Sequence, residues 1–474
     1  QLFVAGPPFR RELRKATKFQ KPKPNPGNSS SRNMTVTETT GLISGQTVPC
    51  RKHSILRFLG SAQESENRAI RLLAHTIRTT ELTLYSSYVN ILLVFVPLGI
   101  FSGLQNWSPN LVFAFNFLAV VPLAAVLSFA TEEISMKLGE TLGGLLNATF
   151  GNAVEMIVSI VALRKGELRI VQSSMLGSIL SNMLLVLGCC FLAGGIHNSR
   201  TGTAAGIQQN FNSTVASTMS SLMTVASATL IIPATLYAAL AQSSEGSMKN
   251  ILLLSHGTSI ILLILYILYL VFQLRTHSSL FDAESEALEA EEECEEEHMG
   301  VWAATSVLIV VTIAVAVCAE YLVDSIDPIV STMHISKTFI GLILIPIVGN
   351  AAEHATAVVV AVKDKMDLAM GVAIGSSLQI ALLVTPTLVI LGWIIGQPLT
   401  LHFETFETMV FFLSVLVVTY VIQDGKSNYL EGAMLLGLYI IIALAFLVYP
   451  DDAGDIVLDS ALVVKRSIQN LVGY

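Results

Sequence analysis

A pentapeptide occurs twice in this chain, as Gly151-Asn-Ala-Val-Glu155 and again, 198 residues later, as Gly349-Asn-Ala-Ala-Glu353. Each copy is followed, at the same interval of 22 residues from Glu to Gly, by a small polar cluster. The clusters are Gly177-Ser-Ile-Leu-Ser-Asn182 and Gly375-Ser-Ser-Leu-Gln379. Chance can produce one such pentapeptide, but two with matched downstream spacing indicate an internal duplication.

The composition around the repeat is typical of a membrane protein. Of 474 residues, 53% are hydrophobic and only 13% are charged, and the mean hydropathy is +0.65. About a quarter of the residues in a water-soluble globule are charged, and disordered or nucleic-acid-binding chains need the opposite balance. The net charge of −8 says little about partners, because 14 of 27 bases precede Leu84 and 10 of 35 acids lie in Asp282–Glu297.

A helix needs about 20 mainly apolar residues to cross the hydrocarbon core of a bilayer, and the chain offers eleven such segments. We therefore predict an all-α polytopic membrane protein with about eleven transmembrane helices. The predicted spans are Tyr85–Gly103, Leu111–Ala130, Thr141–Leu163, Ile170–Gly194, Thr214–Ala241, Ile251–Leu274, Val301–Asp324, Thr338–Val362, Leu368–Ile395, Thr405–Ile422 and Tyr429–Tyr449.

The spans and the charge distribution divide the chain into six parts. We expect a basic, mostly disordered tail (1–83), a first helix (84–104), a repeat half with helices 2–6 (105–274), an acidic linker (275–300), a repeat half with helices 7–11 (301–449) and a C-terminal tail (450–474). The positive-inside rule places the basic tail in the cytosol. By parity, the linker is then also cytosolic, and the C-terminus is lumenal.

The two pentapeptides lie in the third and eighth spans, five crossings apart, so they enter the membrane in opposite senses. This inverted-topology repeat is typical of transporters, which place substrate sites near the bilayer midplane between the halves. Within each copy, Asn and Glu are three residues apart and share a helix face: Asn152 with Glu155, and Asn350 with Glu353. Gly151 and Gly349 weaken the helix and can free backbone carbonyls to line a cavity.

Two facing carboxylates at the centre of a membrane are costly unless they are protonated, paired or bound to a cation. Burial and a like charge favour protonation, whereas calcium binds six to eight oxygens, which carboxylates, amides, hydroxyls and carbonyls can supply. Proton and calcium binding at Glu155 and Glu353 would then exclude each other, which is the chemistry that an exchanger needs. A purely structural role, in which these carboxylates only hold helices together, stays open.

Both pentapeptides, the acidic run and the stretch Lys337-Thr-Phe-Ile-Gly-Leu-Ile-Leu-Ile-Pro-Ile-Val-Gly-Asn-Ala-Ala-Glu-His354 resemble the cation/proton exchangers of the calcium/cation antiporter superfamily. The likeness is greatest to fungal vacuolar calcium/proton antiporters and extends from about Leu84 to Pro450. It implies that Glu155 and Glu353 carry cation and proton in alternation. In this family, the neighbouring ligands and the rest of the polar site would be Asn152, Asn350, Ser178, Ser376, Gln172 and Gln379.

The chain departs from the sodium/calcium exchanger branch, whose additional acidic ligand is missing. Asn182 and Ile380 occupy the corresponding positions, which favours protons over sodium. His354 adjoins Glu353, and because histidine titrates between the pH of an acidic organelle and that of the cytosol, it is a candidate for a modulating or proton-linked role. A satisfied polar residue at the membrane border is the alternative for His354.

Further acids are candidates for cation entrances or gates. Glu132 and Glu133 end the second span, and Glu320 and Asp324 end the seventh; border residues that face water are the alternative interpretation. The acidic run is by default a solvated linker, but the resemblance implies a cytosolic acidic helix that gates transport. Its candidate residues are Glu289, Glu292, Glu293 and Glu296.

These inferences predict a secondary active antiporter that moves cytosolic calcium into an acidic organelle, by resemblance the vacuole, in exchange for protons by alternating access. Calcium, bound by Glu155 and Glu353, and protons are its transported ions, and the bilayer is its environment. No cofactor, nucleic acid or enzymatic activity is expected, and the oligomeric state stays open. A proton exchanger that prefers manganese or sodium and a passive cation channel are the alternative functions.

Overall fold

The computed structural model describes residues 68–138, 140–201, 208–240, 247–280 and 299–449. Most of the predicted N-terminal tail, the C-terminal tail and the acidic run with Glu289, Glu292, Glu293 and Glu296 lie outside these residues. Within them the chain is almost entirely helical, as predicted. Two short strands, Gln209–Asn210 (β1) and Lys426–Ser427 (β2), pair antiparallel and join the loops that contain them.

The protein is an integral membrane protein. By length and composition, seven helices of the described residues can cross a bilayer, and two further helix pairs, bent by 115° and 58°, bring the number to nine if each pair is one span. Thr405–Val421 is a shorter apolar helix. Helical residues lie in each of the eleven predicted intervals, but the number of eleven crossings is not confirmed and stays a prediction.

The part of the chain before the acidic run, as far as the structure describes it, contains long helices interrupted by short irregular turns. Its helices are Arg68–Tyr85 (α1), Phe95–Leu104 (α2), Pro109–Leu138 (α3), Glu140–Phe150 (α4), Ala153–Arg164 (α5), Leu168–Leu180 (α6), Leu187–Thr201 (α7), Ser213–Leu240 (α8) and Ser247–Val271 (α9). A 3-10 segment precedes α2, and π-helical turns follow α6 and α9 at Ser181–Val186 and Phe272–Thr276.

The second half has a similar order of elements. Its helices are Val301–Asp324 (α10), Ile326–Met333 (α11), Lys337–Phe339 (α12), Ile345–Gly349 (α13), Ala351–Val362 (α14), Met366–Gln379 (α15), Thr385–Ile395 (α16), Thr405–Val421 (α17) and Tyr429–Val448 (α18). A π-helical turn, Ile340–Leu344, joins α12 to α13, and another, Ile380–Val384, joins α15 to α16. The π-helical turns after α6 and α15 directly follow the two polar clusters, at equivalent positions of the repeat.

Both pentapeptides interrupt a helix at Gly-Asn. Asn152 (φ −100°, ψ 26°) and Asn350 (φ −98°, ψ 4°) have non-helical backbone and are the N-cap residues of α5 and α14. The bend between the helical stretch Lys337–Gly349 and α14 is 58°. As a result, Glu155 and Glu353 each occupy the third position of a new helix. The N-terminal end of a helix dipole favours a negative charge at this position.

The two halves approach each other closely where both have glycine. A Cβ atom at Gly177 in α6 would overlap the carbonyl oxygen of Leu342, and one at Gly341 would overlap Ser173 Oγ. At Gly375, which is equivalent to Gly177 in the repeat, a Cβ atom would meet no other atom within 4 Å. The close approach therefore exists for α6 but has no counterpart at the equivalent point of α15.

Candidate functional site

The structure brings the two predicted carboxylates together through their pentapeptides. A Cβ atom at Gly349 would lie 2.9 Å from Glu155 Oε1, and one at Gly151 would lie 3.6 Å from Glu353 Oε1. Each glutamate therefore lies against the glycine of the other copy, and at Gly349 a Cβ atom would compete with Glu155 for space. Glu155 is only 4% exposed, and Glu353 is partly buried. This reciprocal contact gives a physical reason for the spacing of Gly and Glu that recurs in the two copies.

A network of hydrogen-bonded polar side chains lies beside Glu353. Ser376 Oγ lies 3.3 Å from Glu353 Oε2 and 3.0 Å from Asn152 Oδ1, so its hydroxyl can donate to either oxygen. Asn152 in turn donates from Nδ2 to Gln379 Oε1 at 2.6 Å. The structure thus brings together four of the predicted site residues from both halves of the protein.

The same hydrogen-bond network extends to His354 through Asn182. Asn182 Nδ2 donates to Ser376 Oγ at 3.1 Å, and its Oδ1 lies 3.3 Å from His354 Nε2. Asn182 connects the histidine to the hydroxyl beside Glu353. The predicted role of His354 stays a prediction, but its connection to this site is direct.

Around Glu155, several of the equivalent polar groups lack such partners. Among the residues that the structure describes, three buried atoms have no hydrogen-bond partner: Glu155 Oε1, Ser178 Oγ and Asn350 Nδ2. In the repeat, these residues correspond to Glu353, Ser376 and Asn152. Buried polar atoms are nearly always paired in native proteins. The unpaired oxygens of this set are of the type that calcium prefers as ligands.

Gln172 does not join this set. Its side-chain amide donates to the carbonyl oxygens of Thr400 at 2.9 Å and His402 at 3.0 Å, in the connection between α16 and α17. The structure therefore gives Gln172 a role in holding α6 to that connection, whereas the resemblance implied a role in the polar site.

The candidate entrance residues differ in exposure and in the contacts that they make. Glu133 is only 3% exposed and accepts the backbone N–H of Met299 at 2.8 Å, so it contacts the segment before α10. The side chains of Glu132 and Glu320 are exposed. Asp324 accepts from Lys165 Nζ at 2.5 Å, and the same ammonium group donates to the carbonyl oxygen of Glu320 at 2.9 Å.

The sequence patterns did not predict one cluster of charged side chains. Arg169, at the start of α6, binds Glu407 with two hydrogen bonds of 3.0 and 2.7 Å and also lies 3.0 Å from Glu404. The available signal was Glu407 itself, an acid inside the predicted tenth span, because a carboxylate at that depth requires a partner. The partner, Arg169, lies 238 residues away, and no local sequence pattern identifies it.

In the part of the chain that the structure describes, no group of three or more His, Cys, Asp or Glu residues is arranged to hold a metal ion. The central site combines two carboxylates with neutral amide and hydroxyl groups. Such a set can hold either protons on its carboxylates or a hard cation between them.

Known proteins are similar to this chain in sequence. The model of the sodium/calcium exchanger protein family matches residues 109–275 and 303–448. The vacuolar calcium ion transporter of Schizosaccharomyces pombe is 50% identical over 399 residues, which cover 84% of this chain and 94% of that protein. The Ca²⁺/H⁺ antiporter of Synechocystis sp. is 43% identical over 371 residues, which cover 76% of this chain and 97% of that protein.

A solved structure supports the same assignment. The crystal structure of the selenium-substituted Ca²⁺/H⁺ antiporter protein YfkE matches with a TM-score of 0.63 at 35% identity, covering 76% of this chain and 99% of that chain. The resemblance inferred from the two pentapeptides is thereby confirmed. This chain belongs to the sodium/calcium exchanger protein family.

Proposed function

We propose that this protein is a secondary active antiporter that exchanges calcium ions for protons. The observation that carries the proposal is the reciprocal contact of Glu155 and Glu353, each of which lies against the pentapeptide of the other repeat. Two relatives support the choice of ions by name, a vacuolar calcium ion transporter and a Ca²⁺/H⁺ antiporter.

The coupling follows from competition for the two carboxylates. Calcium needs both of them ionised, whereas protons neutralise them, so one site holds either ion but not both. The helix N-termini at Ala153 and Ala351 point their positive dipole ends toward the carboxylates and reduce the cost of the ionised form. Each pH unit across the membrane then contributes about 1.4 kcal/mol per exchanged proton to calcium transport.

We further propose that the protein lies in the vacuolar membrane and transports calcium into the lumen. The basic tail favours a cytosolic N-terminus, and the name of the Schizosaccharomyces pombe relative supports a vacuolar location. In this orientation, the connection between α5 and α6 faces the lumen and the acidic run faces the cytosol.

The test is calcium uptake into sealed vesicles that contain the purified protein, driven by an imposed pH gradient. We expect Glu155→Gln and Glu353→Gln to reduce uptake to the background of empty vesicles, because neither variant can alternate between an ionised and a protonated pair. The matched control is Asp424→Asn, which neutralises an exposed acid in the connection between α17 and α18. Thermal unfolding of each purified variant verifies that it is folded.

Three results would contradict the proposal. Uptake by Glu353→Gln at the wild-type rate would exclude the assigned site. Calcium flux that is independent of the pH gradient would identify a passive channel. Preferential transport of manganese or sodium in competition with calcium would identify another exchanged cation.

A further inference from the structure

The helix α4, which leads into the first pentapeptide, has different surroundings from its counterpart in the second half. By the repeat offset of 198, α4 corresponds to residues 338–348. These residues pack along α6, where a Cβ atom at Gly177 would overlap the carbonyl oxygen of Leu342. The corresponding neighbour of α4 would be α15, but a Cβ atom at Gly375, the equivalent of Gly177, would meet no other atom within 4 Å.

Leu274 covers the part of α4 that corresponds to the contact of Leu342. Gly144 is the equivalent of Leu342, and a Cβ atom at Gly144 would lie 3.0 Å from Leu274 Cδ2 and 3.8 Å from its Cδ1. Both methyl groups of Leu274 therefore lie over the backbone of α4. Glycine permits this close approach because it has no side chain.

Apart from Leu274, the helix α4 is held mainly by α3. A Cβ atom at Gly143 would overlap the carbonyl oxygen of Ser135, and Ser135 Oγ donates to Asn147 Oδ1 at 2.8 Å. Among the described elements, α3 and the π-helical turn 272–276 are the main neighbours of α4. The position of α4 therefore depends on few contacts, and the contact of Leu274 is one of them.

The position of α4 affects the central site through Gly151. The backbone N–H of Gly151 donates to the carbonyl oxygen of Asn147 at 2.8 Å, so α4 fixes the start of the pentapeptide. A Cβ atom at Gly151 would lie 3.6 Å from Glu353 Oε1 and 3.8 Å from Gln379 Oε1. A displacement of α4 therefore moves the glycine that lies against Glu353.

The turn 272–276, which contains Leu274, has its own supporting contacts. The rings of Phe272 and His277 stack with centroids 4.2 Å apart, and the backbone N–H of His277 donates to the carbonyl oxygen of Phe272 at 2.9 Å. The backbone N–H of Leu280 donates to the carbonyl oxygen of His277 at 3.0 Å. These contacts hold the turn in place, so Leu274 meets α4 from an ordered segment.

We propose that Leu274 is a positioning residue for the exchange, which holds α4 away from α15 and thereby favours the conformation open to the cytosol. In the proposed orientation, α4 and the turn 272–276 lie at the cytosolic end. When Leu274 leaves Gly144, α4 can approach α15 as residues 338–348 approach α6, and the cytosolic side closes. This inference rests on the proposed function, because access that alternates between two sides is a property of an antiporter.

The first test measures the conformational equilibrium and does not depend on transport. Hydrogen–deuterium exchange of the full chain in lipid nanodiscs is compared between the wild type and Leu274→Ala, which removes both methyl groups from Gly144. We expect exchange to fall at 371–379, where α15 gains a neighbour. Exchange should rise at 173–180 and 340–344, where the contact between the halves separates.

Two matched variants serve as controls in the exchange measurement. Leu268→Ala makes the same change on α9 at a leucine that is 59% exposed, and it should keep the wild-type pattern. Leu274→Met keeps a side chain of similar volume and reach, and it should keep that pattern as well. Wild-type exchange in Leu274→Ala, or a rise confined to α4 and 272–276, would overturn the proposal, because the contact would then contribute packing alone.

The second test measures the KM for cytosolic calcium in pH-driven uptake. Because apparent affinity falls with the fraction of protein in the binding-competent conformation, we expect Leu274→Ala to raise KM by about threefold to tenfold. Leu268→Ala and Leu274→Met should keep the wild-type KM. If the wild type shows no pH-driven uptake, the proposed function fails, and the exchange measurement still decides the role of Leu274. If the wild type transports and Leu274→Ala has the wild-type KM, only the present inference fails.

Discussion

Glu155 and Glu353 are equivalent in the repeat, but their surroundings are not. The hydroxyl of Ser376 connects Glu353 to Asn152 and Asn182, whereas the hydroxyl of Ser178, its counterpart, has no hydrogen-bond partner. The duplication therefore supplies two similar sets of side chains. Those beside Glu353 are hydrogen-bonded to one another, whereas buried polar atoms beside Glu155 have no hydrogen-bond partner among the described residues. We expect the two halves of the site to respond differently to the same substitution.

Ser376→Ala and Ser178→Ala form a matched pair that tests this difference. Loss of the Ser376 hydroxyl leaves buried amide and carboxylate oxygens with fewer partners, which costs about 1–3 kcal/mol of stability. Loss of the unpaired Ser178 hydroxyl removes no hydrogen bond and should cost less than about 0.5 kcal/mol. Thermal unfolding of the purified variants without calcium measures both, and equal destabilisation would contradict the asymmetry.

The sequence pointed to this candidate site because the pattern that marks it is local and repeated. Gly, Asn, Glu and Ser recur at a fixed offset, so the repeat itself identified Glu155, Glu353 and Ser376. It could not identify the true partners of Gln172, because these are backbone carbonyl oxygens, which every residue carries. Nor could it join Arg169 to Glu407, because their separation of 238 residues does not match the repeat offset and no local pattern marks the pair.

At the scale of elements, the close contact of α6 with the segment 340–344 depends on glycine. A Cβ atom at Gly177 would overlap the carbonyl oxygen of Leu342, and a backbone atom cannot rotate away as a side chain can. Gly375 has the same position in the repeat but open space around it. An alanine substitution at Gly177 and at Gly375 therefore tests the effect of this close contact, which is present at the first position and absent at the second among the described residues.

We predict that Gly177→Ala destabilises the protein by about 1–3 kcal/mol, because overpacking forces the two segments apart. Gly375→Ala should be neutral or stabilising by up to about 1 kcal/mol, since alanine favours the helix and meets no neighbour. Thermal unfolding midpoints of the two variants measure the effect. A loss of stability at Gly375 as large as that at Gly177 would show that the close approach is not what requires glycine.

Helix positions were predicted from the hydrophobic pattern, and helical residues lie in every predicted interval. In the structure, the predicted spans Thr141–Leu163 and Thr338–Val362 are both interrupted at Gly-Asn. Glycine in the sequence indicated a weakened helix there, but hydropathy alone does not distinguish a straight helix from a broken one. The π-helical turns after α6 and α15 have no hydrophobic signature either.

At the scale of the whole molecule, the ion pairs that Lys165 and Arg169 form with residues after 300 contribute very differently to stability. The pair of Lys165 and Asp324 is substantially exposed, with 24% and 58% of the side chains accessible, and such pairs contribute about 0–1 kcal/mol. Glu407 is 0% exposed. Removing its partner leaves a buried charge without compensation, which typically costs about 3–5 kcal/mol.

We therefore predict that Arg169→Met destabilises the protein by about 3–5 kcal/mol, whereas Lys165→Met costs no more than about 1 kcal/mol. Combining Arg169→Met with Glu407→Met should restore most of the stability, because an apolar pair of similar size replaces a buried ion pair at little cost. Thermal unfolding of the three variants measures these differences. A double variant as unstable as Arg169→Met alone would contradict the role of the buried charge.

The glycines at the contact between the halves have one more consequence. The contacts of Gly177 with Leu342 and of Gly341 with Ser173 correspond, in the repeat, to pairs of Gly375 with Gly144 and of Gly143 with Gly371. The repeat thus has glycine at all four of these positions, while the structure shows open space at Gly375. If one contact forms as the other separates, the two conformations differ by a small balance of similar interactions. An equilibrium of that kind shifts with a few kcal/mol of differential ion affinity, so the populations of the two conformations respond to the bound ion without any large change in the fold.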